Sequence, residues 1–387
     1  MSYALLSLMA LAACHPACAR AWALVGYLDG RGDLSADAAE HAAGMLRLPG
    51  PGQAHVAVSG PRGLVWSREN GRVTRRPNAA LQSSRPSEQA LSEFLEWVGP
   101  RTQGCNRVIC LLGHGVPAAA GRGAGPPRLL HGDGDPGLTP DQLAECLGRH
   151  LGSEQDATTV VVLETCFGAS ADALYALRKV ADFMLVAPNK IPSPGLSWPE
   201  TAEAVMALAS GQRTTTLSDS LTPGGEQRWS RPWSVVWASP RSFETVADAL
   251  ERFCSEAARS PEAYAASLLR LRASTSATPE RREMVELARL ARAVGNQQAG
   301  TLLFDRGEAL AAAVEQTVIS YAVLGPAGPD VSAVRPGITV YLPGALGCGY
   351  ADVGSWSSLA RRTGYDRFVE FYVQYCGRLV PGLGPTA

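Results

Sequence analysis

His114 and Cys166 are the residues whose types and surroundings could make and break an acyl bond. A thiolate attacks a carbonyl carbon, and an imidazole carries a proton to the departing amine. Each residue follows a short apolar run. Val108-Ile109-Cys110-Leu111-Leu112 ends in Gly113-His114-Gly115, and Val160-Val161-Val162-Leu163 ends in Glu164-Thr165-Cys166. Both runs read as buried strands, so both residues sit where a strand stops and a turn begins. In an open parallel sheet that is the carboxyl edge, where active sites collect. The 52-residue gap fits one strand-to-strand crossover with a long loop and a helix. Glycines on both sides of His114 let a substrate backbone come close, and the Gly115 amide is placed to donate. With the Cys166 amide it could form an oxyanion hole, where one donor contributes about 3–4 kcal/mol. Gly168, Ala169 and Ser170 are small and keep the thiol accessible.

The elements that must position this pair alternate along the chain. Trp22 to Asp29 reads as the first strand, and a helical pattern runs from Ala36 to Leu46. Between them Arg31-Gly32-Asp33 is read as a loop. Ala54 to Ser59 reads as a second strand, and Glu69-Asn70-Gly71 supplies the turn of a β-ribbon. Ser87 to Val98 carries Leu91, Phe94, Leu95 and Val98 at helical spacing, with Ser87 as the expected N-cap. The stretch from Val116 to Gly137 is rich in Gly, Pro and Ala and reads as an exposed, mobile loop. Thr139-Pro140 opens a helix that runs to about Leu151. A helix follows Cys166, then a strand from Phe183 to Ala187, a helix over 201–210 and a strand from Trp233. From Ser242 to about Gly325, Ala, Leu, Arg and Glu dominate, which predicts several antiparallel helices. Gly337 to Pro343 is strand-like, and Tyr365 to Tyr375 is a closing aromatic helix. Alternating strands and helices predict an α/β fold with a mostly parallel sheet flanked by helices. The expected division is a core over 22–240, a helical subdomain over 241–330 inserted before the late strand, and a C-terminal strand and helix over 331–387 that return to the core.

The order LLGHG then VVLETCFGAS resembles the caspase-like clan of cysteine peptidases, and within it the clostripain family. Trp22-ALVGYLDGRGDL resembles that family's opening strand and acidic loop. Ser87-EQALSEFLEW, Phe183-MLVAPNKIPSPGLSW, Gly337-ITVYLP and Tyr365-DRFVEFYVQY resemble its later segments. The resemblance implies a caspase-like fold and a cysteine endopeptidase with His114 and Cys166 as its dyad. It also implies an oxyanion hole at Gly115 and Cys166, and cleavage after Arg or Lys. Several members of the family cut themselves between the His and the Cys, which makes Arg122 and Arg128 the expected self-cleavage points. Where the family has Asp two residues before the Cys, at the base of the primary specificity pocket, this chain has Glu164. A carboxylate there keeps charge and hydrogen bonding toward a basic side chain. Glu at this position also resembles the legumains, which cut after Asn or Asp. Lys190 follows Pro188-Asn189 and reads as a solvated loop charge. The remaining alternative is a caspase-like binding module without activity. His41, like His15, reads as structural or solvated, and His55, His131 and His150 lack a catalytic setting.

Bulk properties narrow the partners. The chain has 387 residues, 46% hydrophobic and 18% charged, with a net charge of −1. That is a globular composition. Without clustered Lys and Arg it argues against a nucleic-acid partner, and the expected partner is a peptide or protein substrate. The nine cysteines include no C-x-x-C pair, so no zinc site is expected. The chemistry requires no cofactor. Some members of the family need calcium, and Asp29, Asp33, Asp133 and Asp135 lie in loops that could hold it. Residues 1–21 read as an export signal or lipoprotein leader. Leu11-Ala12-Ala13-Cys14 resembles a lipobox, and Ala19-Arg20-Ala21 fits a cleavage site. The expected location is the bacterial cell envelope or the exterior, with membrane attachment only through a lipid on Cys14. Without a signal the location would be the cytoplasm.

Overall fold

Five parallel strands occupy the middle of a nine-stranded sheet in the computed structural model, and their carboxyl ends gather the residues singled out above. The structure describes residues 20–48, 52–82, 87–116, 126–131, 137–152, 157–198, 200–211, 217, 221, 229, 232–260, 262, 264–265, 267–269, 284–296, 300–326, 337–343 and 357–379. Residues 1–19 of the leader, with the lipobox, and Arg122, Asp133 and Asp135 lie outside them.

The strands are β1 (Trp22–Asp29), β2 (Gln53–Ser59), β3 (Leu64–Glu69), β4 (Arg72–Pro77), β5 (Asn106–Leu112), β6 (His114–Val116), β7 (Arg128–His131), β8 (Thr159–Glu164), β9 (Phe183–Val186), β10 (Trp233–Ala238), β11 (Met284–Glu286), β12 (Val318–Leu324) and β13 (Thr339–Tyr341). The helices are α1 (Ser35–Leu46), α2 (Ser87–Val98), α3 (Pro140–Leu151), α4 (Ala171–Leu177), α5 (Glu200–Ala209), α6 (Phe243–Ala257), α7 (Leu287–Gly295), α8 (Leu302–Thr317), α9 (Ser358–Thr363) and α10 (Tyr365–Leu379). The main sheet runs β12-β10-β9-β8-β5-β1-β2-β3-β4. Strands β2, β1, β5, β8 and β9 run parallel to one another, and the pairs β2–β3, β3–β4, β9–β10 and β10–β12 are antiparallel. The chain steps from β1 to β2 on one side, then crosses to β5 on the other. That reversal is a topological switch point, where ligand crevices form.

The middle residues of the central strands are apolar because both faces are covered. Val161 and Leu163 of β8, with Ile109 and Leu111 of β5, join one core layer. Val160 and Val162, with Val108, Cys110 and Leu112, join the other. The strand period of two thus feeds two cores. Helices α2, α3, α4 and α6 contribute to the first layer and α1 and α5 to the second. Helix α3 opens on a capping box. Thr139 Oγ1 accepts from the Gln142 amide at 3.2 Å, and Gln142 Oε1 accepts from the Thr139 amide at 2.9 Å. This holds the crossover that leads into β8.

Two parts of the chain depart from expectation. The stretch over 241–330 is not all helix and does not stand apart. Strand β12 pairs with β10 at the edge of the main sheet, from Leu324 opposite Trp233, and α6, α7 and α8 bury residues in the same core layer as β1 and β5. The late strand β13 returns to that core, but it pairs with β11 rather than with the main sheet. It also meets the turn after Cys166, where the Thr339 amide donates to the Ala169 carbonyl at 2.9 Å. The second departure is the Gly/Pro/Ala stretch. Part of it is the ribbon β6–β7, with His114 opposite His131 and Val116 opposite Arg128.

One buried residue of the frame gives the fold an acid-sensitive point. His55 on β2 is fully buried, with Nδ1 2.9 Å from Ser67 Oγ and its ring edge-on to Trp97. Burial pushes its pKa down to about 4, whereas the unfolded chain protonates near pH 6.5. Between these values the unfolded state holds a proton that the folded state does not, so stability falls as pH drops. The shift corresponds to a loss of about 2–3 kcal/mol between pH 7 and 4.5. Urea unfolding at both pH values, in the native chain and in His55→Gln, should show the loss shrinking by that amount in the variant.

Candidate active site

The register of the sheet sets the relation between the two motifs. Leu112 of β5 is the partner of Glu164 of β8, so His114 and Cys166 each lie two residues past a paired position. They leave the same edge side by side. The contact is closer still at the next residue. A Cβ placed on Gly115 would collide with the Cys166 carbonyl oxygen and lie 2.8 Å from the Cys166 carbonyl carbon and amide nitrogen. The backbone of the His motif therefore rests directly on the peptide of Cys166, as only glycine permits.

Cys166 occupies the turn after β8, half-buried and reduced. The Ile191 amide points at its sulfur at 3.4 Å. The next residue, Phe167, has φ +60°, a left-handed conformation that costs a non-glycine residue about 1–2 kcal/mol. Three bonds hold the turn in place. Phe167 donates to the Asn189 carbonyl at 3.1 Å, Gly168 to the Thr165 carbonyl at 3.3 Å, and Ala169 to the Ala187 carbonyl at 2.9 Å. Ser170 then caps α4 by accepting from the Ala173 amide at 3.2 Å. Thr165 Oγ1 and Asn189 Oδ1 are buried beside this turn with no hydrogen-bond partner.

His114 is about 40% exposed, and its Nε2 lies 2.8 Å from Asp33 Oδ1. That hydrogen bond holds the Asp33 carboxyl below its ordinary pKa. The loop carrying Asp33 is shaped by a buried pair at the end of β1. Arg31 donates Nε to Asp29 Oδ1 at 2.8 Å and its terminal nitrogen to Oδ2 at 2.8 Å, and the Ser59 hydroxyl also donates to Oδ1 at 2.9 Å. Arg31 and Asp29 are both buried, whereas Gly32 and Asp33 after them are exposed. Two of the four acidic residues considered for calcium are thus engaged, Asp29 by Arg31 and Asp33 by His114. Sequence reading places Asp33 in a loop and among possible calcium ligands, and its contact with His114 is found only in the structure. Its position shortly after the β1 carboxyl end was the available signal.

Glu164 is buried, with its side chain inaccessible. Its Oε1 accepts from the Leu196 amide at 2.7 Å and its Oε2 from Trp198 Nε1 at 3.0 Å. His41 Nε2 lies 3.0 Å from Oε1 and 2.9 Å from Oε2. The Cys110 thiol donates to Oε2 at 3.6 Å, and burial raises that thiol's pKa well above its usual value. Burial alone would raise the Glu164 pKa, but His41 and the two N–H donors outweigh it and the carboxyl is lowered. Burial works against charge on His41 too, and Glu164 outweighs it there, so the ring is raised. Arg128 sits in β7, half-buried, donating at 3.4 Å to the Gly137 carbonyl and to Gln142 Oε1. Leu129 and Leu130 after it are buried. Among the described residues no group of His, Cys, Asp and Glu converges as a metal site, and no helix is long and apolar enough to cross a membrane.

No protein-family model matches the sequence, and no curated protein does. Solved structures do match. A secreted C11 cysteine protease from Bacteroides thetaiotaomicron, with an irreversible peptide inhibitor, is 13% identical with a TM-score of 0.61, over 90% of this chain and 99% of its own. The same type of secreted protease from that organism, iotapain, is 10% identical with a TM-score of 0.63, over 89% and 99%. An inactive zymogen C11 protease from Parabacteroides distasonis is 14% identical with a TM-score of 0.57, over 90% and 99%. The mostly parallel sheet with its flanking helices is therefore the fold of the C11, clostripain-type cysteine proteases.

Proposed function

We propose that this protein is a cysteine endopeptidase in which Cys166 is the nucleophile and His114 the proton carrier. The observation that carries the reading is the contact of Gly115 with the Cys166 peptide, which sets both motifs at one point of the sheet edge. The Cys166 thiolate attacks the carbonyl carbon of the scissile peptide, and the oxygen takes the negative charge. The amides of Gly115 and Cys166 hold that oxygen. The intermediate collapses, the C–N bond breaks, and the leaving amine takes a proton from His114. Water then attacks the thioester and gives a proton to His114, releasing the acid and the thiolate. Asp33 fixes the ring by accepting from Nε2, which leaves Nδ1 to exchange protons with the reacting groups. Fold similarity to a protease solved with an irreversible peptide inhibitor supports the reading.

Arg or Lys before the cut is the preference the sequence resemblance implies, with Asn or Asp as the alternative. Glu164 lends support to neither, because its oxygens are met by internal donors. Self-cleavage between the His and the Cys falls to Arg122 more readily than to Arg128, since a cut after Arg128 requires β7 to leave its ribbon and expose Leu129 and Leu130. Export follows the leader at residues 1–21, and the two Bacteroides thetaiotaomicron proteases above are described as secreted.

The test is a panel of fluorogenic peptides with Arg, Lys, Asn, Asp or Gln before the reporter, run with and without calcium, beside labelling with a peptidyl chloromethyl ketone. The native chain should cleave at least one peptide and take up one label on the Cys166 peptide, and Cys166→Ala should do neither. A native chain that neither cleaves nor labels, with its segment over 116–137 already cut, would mark a binding module and sink the reading.

A further inference from the structure

The mechanism does not use the buried pair Glu164–His41, although Glu164 is two residues from the nucleophile. His41 stands between two acceptors. Its Nδ1 lies 2.8 Å from the Asp37 carbonyl, which can only accept, so Nδ1 carries a proton. Its Nε2 faces a carboxylate that already takes hydrogen bonds from Leu196, Trp198 and Cys110. With protons on both nitrogens the ring is an imidazolium, and its charge is matched inside the fold. A carboxylate so surrounded has no oxygen turned to a substrate.

Two of its donors, Leu196 and Trp198, belong to one segment, over 187–198, and the other end of that segment touches the nucleophile. Ala187 and Asn189 accept from Ala169 and Phe167 of the Cys166 turn, and Ile191 donates to the Cys166 sulfur. Gly195 has φ +77°, and a Cβ there would lie 2.8 Å from Glu164 Oε1. The Gly195 carbonyl accepts from Trp229 Nε1 at 2.9 Å. Helix α1 presses on the same place, since a Cβ on Gly44 would lie 2.8 Å from the Trp198 Cβ. The segment is thus pinned twice, at the thiol and at Glu164, with only a few residues between the pins.

We propose that Glu164, paired with His41, is a positioning residue that fixes the segment over 191–198 so that the Ile191 N–H meets the Cys166 sulfur, and that the residue before the scissile bond is selected without it. An N–H aimed at sulfur favours the thiolate, which is the nucleophile. This rests on the peptidase reading for its catalytic consequence, but its effect on the thiol can be measured without any substrate.

The experiment compares the native chain, Glu164→Gln and His41→Gln, each checked for fold by near-ultraviolet circular dichroism. Iodoacetamide alkylation at pH 7 is followed on the Cys166 peptide by mass spectrometry, and kcat and KM are taken for Arg, Asn and Gln peptides. In both variants Cys166 alkylation should slow about tenfold or more, the scale of one hydrogen bond to a charged group. The kcat should fall in step, KM should hold within about threefold, and the ratios of kcat/KM among the three peptides should stay as in the native chain. Unchanged or faster alkylation in a folded Glu164→Gln would overturn the proposal. So would a tenfold change in the peptide ratios, because that would place the carboxylate against substrate. If no form cleaves a peptide, slowed alkylation still supports the positioning role, and it is the peptidase reading that fails.

Discussion

Replacing His114 with alanine should lower kcat by about 10²–10⁴-fold, the usual contribution of a positioned acid and base, while KM stays within a few-fold. His114 acts on the proton of the departing amine and on water, so its removal takes stabilisation from the transition state and little from the bound peptide. Asp33→Asn should cost less, about tenfold in kcat, because asparagine still offers an oxygen to Nε2 but loses the charge. The two losses should not add. In His114→Ala the Asp33 carboxylate has nothing to orient, so the double variant should match His114→Ala alone. The pH profile separates the roles further. Asp33 has its pKa lowered by His114, so the contact holds above the ordinary carboxylate range and is lost only as pH falls through the lowered value. Between pH 5 and 9 the native profile should therefore show no limb from Asp33, and Asp33→Asn should lower the whole profile without adding one. Full additivity in the double variant would mean that Asp33 acts elsewhere.

The placement of His114 and Cys166 at one sheet edge is legible in the sequence because strand burial is written locally. Val108–Leu112 and Val160–Leu163 are apolar on both faces, and only a central parallel strand buries both faces. The residues after each run then had to lie at one edge. What the sequence hid was pairing across distance. His41 follows Ala38 and precedes Ala42 and Met45 at helical spacing, so its burial on α1 could be read. Nothing local says that the residue it meets is 123 positions later. The resemblance makes Glu164 a pocket carboxylate, and nothing in the local sequence says how many donors the fold aims at it. β12 was hidden for a different reason. Val318–Leu324 follows α8 without a break, and a short apolar run after a helix fits either period. Its pairing with β10 at the sheet edge decides the matter. Composition also misled over 116–137, where Arg128–His131 forms a strand because Leu129 and Leu130 find a core to enter.

Gly115→Ala should reduce kcat/KM by about 10³-fold with the fold intact. The added methyl would occupy the space of the Cys166 peptide, where its Cβ meets the carbonyl oxygen and lies 2.8 Å from two further backbone atoms. Backbone cannot rotate aside as a side chain can, so either the His motif or the nucleophile turn must move. A shift of about 1 Å at reacting groups alone can cost 10²-fold, and loss of one oxyanion donor costs about 10²–10³-fold. Both changes arise from the same displacement, so they do not multiply fully. Gly148→Ala is the matching control. It lies within α3, and its Cβ would meet only a Val180 methyl at 3.7 Å, an ordinary contact. That variant should keep full activity and gain about 0.5–1 kcal/mol of stability, because alanine favours the helix. Parallel kinetics and urea unfolding on the two variants compare one methyl group in two places. If Gly115→Ala keeps more than about a tenth of native kcat/KM, well short of the oxyanion-donor loss, the His and Cys motifs are not packed backbone to backbone. The peptidase reading would then lose the contact that carries it.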